Sequence, residues 1–308
     1  MLNLSFQYQF TSWSRNYVED SVKSAKKWNQ YYALYHKKNK KANKVFIFLA
    51  LIFIFLYNLR NCMEKKVLKI GQISDTHIGK DASPVQDIDV RENFLTAYNS
   101  PSMKDLDLLV LSGDLADSVD PGAYAFIADV LKDCKFPVCI IPGNHDNIEV
   151  MEKYFDLKNR VHNGKCYFRY DIDGRSIFFL DSSDGTVSRE QLLWLEKETE
   201  KIDDEVLLFI HHPPCHCNHK FMDLRYALRN IEEVQTTLLK IKNIKHIFVG
   251  HYHSEMIEKF GDKTVYVTPS TQMQIDPNIS VFCLSSAAPG WRVIEWGKNF
   301  VETKVYFS

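Results

Sequence analysis

An α/β fold with a largely parallel sheet covered by helices is the class this sequence predicts, and two observations predict it. Short apolar, β-rich runs alternate with helical stretches, and five of these runs end in a compact polar block. Val67 to Ile73 runs into Ser74-Asp75-Thr76-His77; Leu106 to Leu111 runs into Gly113-Asp114; Val138 to Ile141 runs into Gly143-Asn144-His145-Asp146. Val206 to Ile210 runs into His211-His212-Pro213-Pro214, and Ile244 to Val249 into Gly250-His251-Tyr252-His253. In sheets of this kind, ligands and catalytic groups collect at the carboxyl ends of the strands. The glycines let the backbone turn sharply there.

The polar residues of the blocks form a set of metal donors. Asp75, His77, Asp114, Asn144, His211, His251 and His253 combine carboxylate, amide and imidazole without thiolate, which suits manganese, iron or zinc rather than a soft-metal or iron–sulfur site. Seven donors exceed what one ion takes. A carboxylate shared between two ions resolves the count, and Asp114, on a tight turn, is the candidate bridge. Two metals about 3.5–4 Å apart clamp a phosphate ester and lower the pKa of a bridging water to about 7, giving hydroxide for in-line attack without a protein nucleophile. Singly, an Asp-x-His or a Gly-Asp is a turn or cap, and a buried histidine is usually just hydrogen bonded. Five blocks in this order, each at a strand end, are what carry the reading.

The same blocks resemble the calcineurin-like metallophosphoesterase family, whose pattern is Asp-x-His, Gly-Asp, Gly-Asn-His-Asp/Glu, His and Gly-His-x-His, from Lys66 to about Ser308. The resemblance implies a four-layer α/β/β/α sandwich with two mixed sheets. It also implies one metal on Asp75, His77, Asp114 and His253, and the other on Asp114, Asn144, His211 and His251. His212 and Asp146 then stand behind the ligands. Further matches at Ile73 to His77, Leu224 to Asn230, Thr268-Pro269-Ser270-Thr271 and Pro289-Gly290-Trp291-Arg292 are similar to the bacterial class III cyclic-nucleotide phosphodiesterases. That resemblance implies hydrolysis of 3′,5′-cyclic AMP to 5′-AMP, with Thr268 to Thr271 and the loops after His211 and His253 shaping the nucleoside pocket. The alternative within the superfamily is a glycerophosphodiester, nucleotide or phospholipid headgroup. A non-catalytic scaffold would be expected to have lost ligands, and none is missing.

His145 follows a ligand and precedes Asp146, so it is the candidate general acid for the departing oxygen, its other nitrogen oriented by a carboxylate. The bland alternative is that it only hydrogen bonds the hydroxide or a phosphate oxygen. Cys215-His216-Cys217-Asn218-His219 lacks a distant second ligand pair and reads as a loop at the mouth of the site rather than a zinc site.

The 308 residues are 45% hydrophobic and 25% charged with a formal net charge of −1, enough for a large core and without the basic excess expected of a nucleic-acid enzyme. Seven dispersed cysteines favour a reducing compartment, so the expected location is the cytoplasm. The substrate is then a small molecule, and a homodimer is the one assembly allowed for. Residues 1–62 are read as an extension and 63–308 as the catalytic domain. In the extension, Trp13 to Tyr35 is aromatic and lysine-rich, Lys37 to Lys44 is basic, and Val45 to Tyr57 is continuously apolar. That apolar run is short for a membrane span and late for a signal peptide, and Leu59 to Cys62 makes a poor lipoprotein signal. Two expectations follow: a membrane anchor through residues 45–57, or translation from Met63 with the upstream residues dispensable.

Overall fold

All five apolar runs form strands. In the computed structural model, which describes residues 66–308, β1 (Leu68–Ile73) is followed by α1 (Val90–Tyr98), β2 (Leu108–Ser112), α2 (Pro121–Leu131), β3 (Val138–Ile141) and the single turn α3 (Ile148–Met151). A small hairpin of β4 (Val161–His162) and β5 (Lys165–Cys166) precedes β6 (Phe168–Ile172), β7 (Arg175–Leu180) and α4 (Arg189–Thr199). Then come β8 (Val206–Ile210), the short α5 (Met222–Arg225), α6 (Ile231–Lys240), β9 (Ile244–Val249), β10 (Met256–Phe260) and β11 (Lys263–Val267). A second hairpin of β12 (Gln274–Ile275) and β13 (Leu284–Ser286) leads to β14 (Gly290–Trp296) and β15 (Val301–Phe307). The helices start on local signals: Asp89 accepts from Glu92 N, Asp120 stands before Pro121, and Ser188 accepts from Gln191 N.

The strands divide between two mixed sheets, one ordered β15-β14-β1-β2-β3 and the other β10-β11-β9-β8-β7-β6. β1, β2 and β3 run parallel, as do β7, β8, β9 and β11, whereas β14, β15, β6 and β10 pair antiparallel. The largely parallel sheet that the apolar runs suggested is therefore refined to two mixed ones, as the family resemblance implied. The reason is that a strand buried on both faces reads identically whether helices cover both faces or a second sheet covers one.

Strand alternation builds the layers. Ile177, Phe179, Leu207, Phe209, Phe248 and Tyr266 share a core with the five-stranded sheet and with Phe94, Ala97, Ala123 and Ile127 of α1 and α2. Their neighbours Phe178, Leu180, Leu208, Ile210, Ile247 and Val249 pack instead with Leu192, Leu195, Val234 and Leu238 of α4 and α6. A row of stacked rings, Phe168, Phe179, Phe209, Phe248 and Tyr266, crosses the inner face of the six-stranded sheet at centroid spacings of 4.5, 5.3, 5.2 and 4.9 Å.

Lys65–Ser308 forms one compact unit. The readings placed on residues 13–35, 37–44, 45–57 and 59–62 lie outside the described residues, as does any anchor there. Among the described residues no helix is long and apolar enough to cross a membrane.

Candidate metal centre

The carboxyl ends of β1, β2, β3, β8 and β9 converge, and the loops that leave them are tied to one another before any side chain is considered. Asp75 N donates to Gly113 O, His77 N to Asp114 O and Gly250 N to His211 O, each at 3.0 Å. His251 N donates to both oxygens of Asp75 at 3.0 Å, joining a loop of one sheet to a loop of the other. The backbone is strained for this purpose. Asp75, His77, Asp114, His251 and His253 have φ of 55°, 43°, 50°, 67° and 50°, a region that non-glycine residues rarely occupy and that concentrates at functional sites. Gly113 has φ 98° and a Cβ there would lie 2.4 Å from His211 Nδ1; one on Gly250 would lie 1.9 Å from Ser74 Oγ. Only glycine admits the chain so close to its neighbours.

Six of the seven predicted ligands fall into two buried clusters, Asp75, His77 and His253 in one and Asp114, His211 and His251 in the other. His253 Nε2 is 3.5 Å from Asp75 Oδ1, and His211 Nε2 is 3.2 Å from Asp114 Oδ2. Asp114 Oδ2 also lies 3.8 Å from His77 Nε2, so this carboxylate faces both clusters. Asn144, the amide of the set, stands exposed at the end of β3.

The ring tautomers decide whether such a set fits a cation. His211 Nδ1–H donates to Ser112 O at 2.8 Å, His253 Nδ1–H to Met273 O at 3.2 Å, and His251 Nε2–H to Tyr226 O at 2.9 Å. A carbonyl only accepts, so each bond places the proton on the outer nitrogen and leaves the inner one bare. His211 Nε2 is buried with no hydrogen-bond partner, and the Nε2 atoms of His77 and His253 face each other at 3.1 Å beside a carboxylate. Bare imidazole nitrogens gathered over two carboxylates fit a cation and little else.

The electrostatics agree. Burial pushes the Asp75 carboxyl up, but His211 and His253 more than offset it and leave it at about 2; Asp114 is held well below the usual carboxylate range by His211 and His77 despite its burial. Burial lowers His77 to about 3 and His251 to about 4, so both rings are neutral donors. His211 is the exception: burial lowers it, yet Asp114 and Asp75 raise it to about 9. A cation competes with that proton for the same pair of carboxylates.

His145 is exposed beside the clusters, its N–H donating to Asp114 Oδ1 at 2.8 Å and its ring meeting His77 edge-on at 4.8 Å. Its Nδ1 is held at 2.7 Å by the main-chain oxygen of Asp117, not by the carboxylate partner that the sequence suggested. Asp146 is turned elsewhere, accepting from the N–H groups of Gly143, Leu115 and Ala116 and from the Tyr124 hydroxyl, and its carboxyl is raised by burial and by Asp114 to about 6. It braces the loop after β3 against the loop after β2. His212 packs its ring 4.0 Å from that of His251 and is held through Nδ1 by Ser182 Oγ at 2.9 Å. Burial, then repulsion from His251 and His211, depresses its pKa.

Thr268, Ser270 and Thr271 are fully buried. Ser270 Oγ donates to Asp75 O at 2.7 Å and Thr271 N to Ser74 O at 3.2 Å, so the segment buttresses the end of β1. None of the donor clusters among the described residues includes Cys215 to His219. The residues that orient the histidines of the centre, Ser112, Asp117, Ser182, Tyr226 and Met273, escaped the sequence reading because most act through main-chain carbonyls, which any residue type supplies.

Comparison with known proteins follows the same residues. Residues 68–255 match the family described as calcineurin-like phosphoesterase. A protein of Fibrobacter succinogenes called a probable cyclic nucleotide phosphodiesterase is 79% identical over 253 residues, 82% of this chain and 99% of its own. The 3′,5′-cyclic adenosine monophosphate phosphodiesterase CpdA of Escherichia coli is 30% identical over 74% of this chain and 85% of its own. A probable glycerophosphodiester phosphodiesterase of Arcobacter nitrofigilis is 31% identical over 67% and 80%. A dimetal phosphatase from Danio rerio, 14% identical, shares the fold at a TM-score of 0.54 over 78% of this chain and 99% of that one. With these matches and a buried set of imidazoles and carboxylates at four strand ends, the chain belongs to the calcineurin-like phosphoesterase family.

Proposed function

We propose that the protein is a dinuclear-metal phosphodiesterase that hydrolyses 3′,5′-cyclic AMP to 5′-AMP. The observation that carries the substrate class is the 79% identity to the Fibrobacter relative across 99% of that protein. Asp75, His77, Asp114 and His253 would hold one cation, and Asp114, Asn144, His211 and His251 the other, as iron, manganese or zinc. When bound, such a pair neutralises phosphoryl oxygens and acidifies an attacking water.

The chain's own residues do the rest. Asp114, facing both clusters, sets their spacing. The carbonyls of Ser112, Met273 and Tyr226 take the outer ring protons of His211, His253 and His251 and so turn the inner nitrogens toward the clusters, where a cation would replace the second proton of His211. With Nδ1–H of His145 on the Asp117 carbonyl, the imidazolium form would carry its second proton on Nε2 and give it to the departing 3′ oxygen as water adds at phosphorus and the P–O3′ bond breaks, the proton lost by the water balancing the one given up. A ribose alkoxide is a poor leaving group, so this proton matters more than for an aryl ester.

A second reading rests on the Arcobacter relative, whose name gives a glycerophosphodiester and whose identity equals that of the Escherichia coli enzyme to within a percentage point. Turnover of metal-loaded protein on cyclic AMP, glycerophosphocholine and bis(p-nitrophenyl) phosphate separates the two. The first reading expects 5′-AMP as the main product. Brisk conversion of glycerophosphocholine to glycerol 3-phosphate and choline, or to glycerol and phosphocholine, with no attack on cyclic AMP would replace the first reading with the second.

A further inference from the structure

The turn Gly250 to His253 brings two histidines of the centre together with opposite needs. His251 and His253 both hold positive φ, 67° and 50°, and the one residue between them, Tyr252, is fully buried in the core beneath α4 and α6. A strained turn persists only when its surroundings over-determine it. Among the described residues the Tyr252 side chain hydrogen bonds to Asp223, whose Oδ1 accepts the phenol O–H at 2.8 Å.

Asp223 lies in α5, far along the chain from that turn, and its carboxylate gathers the whole preceding loop. It accepts Cys217 N at 3.0 and 3.1 Å and His219 N at 3.0 Å, while its own N–H donates to His219 O at 2.9 Å. The His219 ring, fully buried, packs edge-on to Tyr252 at 5.6 Å. Three residues after Asp223, the main-chain oxygen of Tyr226 accepts the Nε2–H of His251. One short segment, Cys217 to Tyr226, therefore holds the turn twice, through Asp223 on Tyr252 and through Tyr226 on His251.

We propose that Asp223 and Tyr252 form a clamp that positions His251 and His253 for metal, so that Asp223 is a positioning residue of the centre although it touches no ligand nitrogen. The carboxylate shapes the loop so that the Tyr226 carbonyl meets His251, and the phenol ties that loop to the ligand turn. Without the tie the turn relaxes from its left-handed conformation, and the bare nitrogens lose their common focus. Residues that orient metal ligands from behind typically cost about 10–100-fold in metal affinity when removed. The inference rests on His251 and His253 being ligands.

The test is metal affinity, read on the full chain by competition of Mn²⁺ or Zn²⁺ against a chromophoric chelator, with Tyr252→Phe, Asp223→Ala, the double variant and His253→Ala. Tyr252→Phe keeps the ring and the core and removes one bond. We expect it to lose about tenfold in affinity, Asp223→Ala about 10–100-fold, and the double variant no more than Asp223→Ala alone, since both act through one contact. Wild-type affinity in Tyr252→Phe, or additive losses in the double variant, overturns the clamp. Because Tyr252→Phe spares the loop and the core, its result stands even if Asp223→Ala fails to fold. Undiminished metal binding in His253→Ala would overturn the ligand assignment itself, whereas loss in His253→Ala with none in Tyr252→Phe would sink only the clamp.

Discussion

Asp114 is the residue that faces both clusters. Its carboxylate lies between His211 at 3.2 Å and His77 at 3.8 Å, on a turn of φ 50° directly after a glycine, and its Oδ1 accepts the His145 N–H at 2.8 Å. Asp114→Ala should bind fewer than two metals and be inactive; full occupancy by elemental analysis with near-normal turnover would refute the bridging role. His145 makes a different prediction because it meets the centre through its N–H and ring edge and lies outside the two buried clusters. His145→Ala should keep both ions yet lose about 10²–10⁴ in rate on cyclic AMP, with a smaller loss on bis(p-nitrophenyl) phosphate, whose leaving group needs no proton. Equal losses on the two substrates would assign it an electrostatic or positioning role. The residue types of this centre were legible in the chain, but their partners were not. Asp146 looked like the orienter of His145 because it is adjacent in sequence, yet three N–H groups and a phenol claim its carboxylate.

Between elements, the two sheets are joined behind the centre by a polar strut. Arg292 of β14, 1% exposed, donates to Thr268 Oγ1, Val267 O and Thr303 Oγ1 at 2.9 Å each and lies over the Tyr266 ring at 5.6 Å. Thr268 Oγ1 donates to Gln72 Oε1 at 2.7 Å, and Gln72 Nε2 donates to Ser112 Oγ at 2.9 Å; Ser112 O in turn receives the His211 ring. Every link is satisfied, so the network rigidifies the interior instead of weakening it. No carboxylate stands within ion-pair distance of Arg292 among the described residues, and burial brings its pKa down to about 10. Arg292→Met retains much of the volume but orphans buried acceptors, at about 1–3 kcal/mol for each group left unpaired. Chemical denaturation should show a lower midpoint with an unchanged slope. A midpoint equal to wild type would show that water replaces the guanidinium. Nothing in the Pro289 to Arg292 motif announces this role, because an arginine in a strand reads as an edge or surface residue until the second sheet is known to lie against it.

At the scale of the whole molecule, the centre is where loops from both sheets meet, and buried carboxylates converge there. A cation that binds the folded chain and not the unfolded one adds RT ln(1 + [L]/Kd), about 4 kcal/mol at a thousand times Kd. Dialysis against a chelator should therefore lower the thermal midpoint, and Mn²⁺ or Zn²⁺ should restore it; a midpoint indifferent to chelation would mean the clusters do not hold metal in solution. The compact unit Lys65–Ser308 contains every strand-end ligand. We accordingly propose residues 63–308 as the catalytic domain and expect protein starting at Met63 to fold, bind metal and keep its turnover. Insoluble or inactive truncated protein would show that residues 1–62 support the domain.

What the sequence determined by itself was the chemistry and its location along the chain. β3, β8 and β9 begin and end where the apolar runs do, and the polar blocks after them carry the donors, because burial and donor type are local properties of residues. The family pattern then supplied the two mixed sheets. What only tertiary structure decided was which groups face each other: that Asp114 addresses both clusters, that Ser270 and Thr271 brace the end of β1, and that Asp223 reaches Tyr252. These are contacts between segments remote in sequence, made largely through main-chain carbonyls and through side chains whose direction depends on which sheet lies opposite. No local pattern encodes them, since their geometry exists only once both sheets are packed.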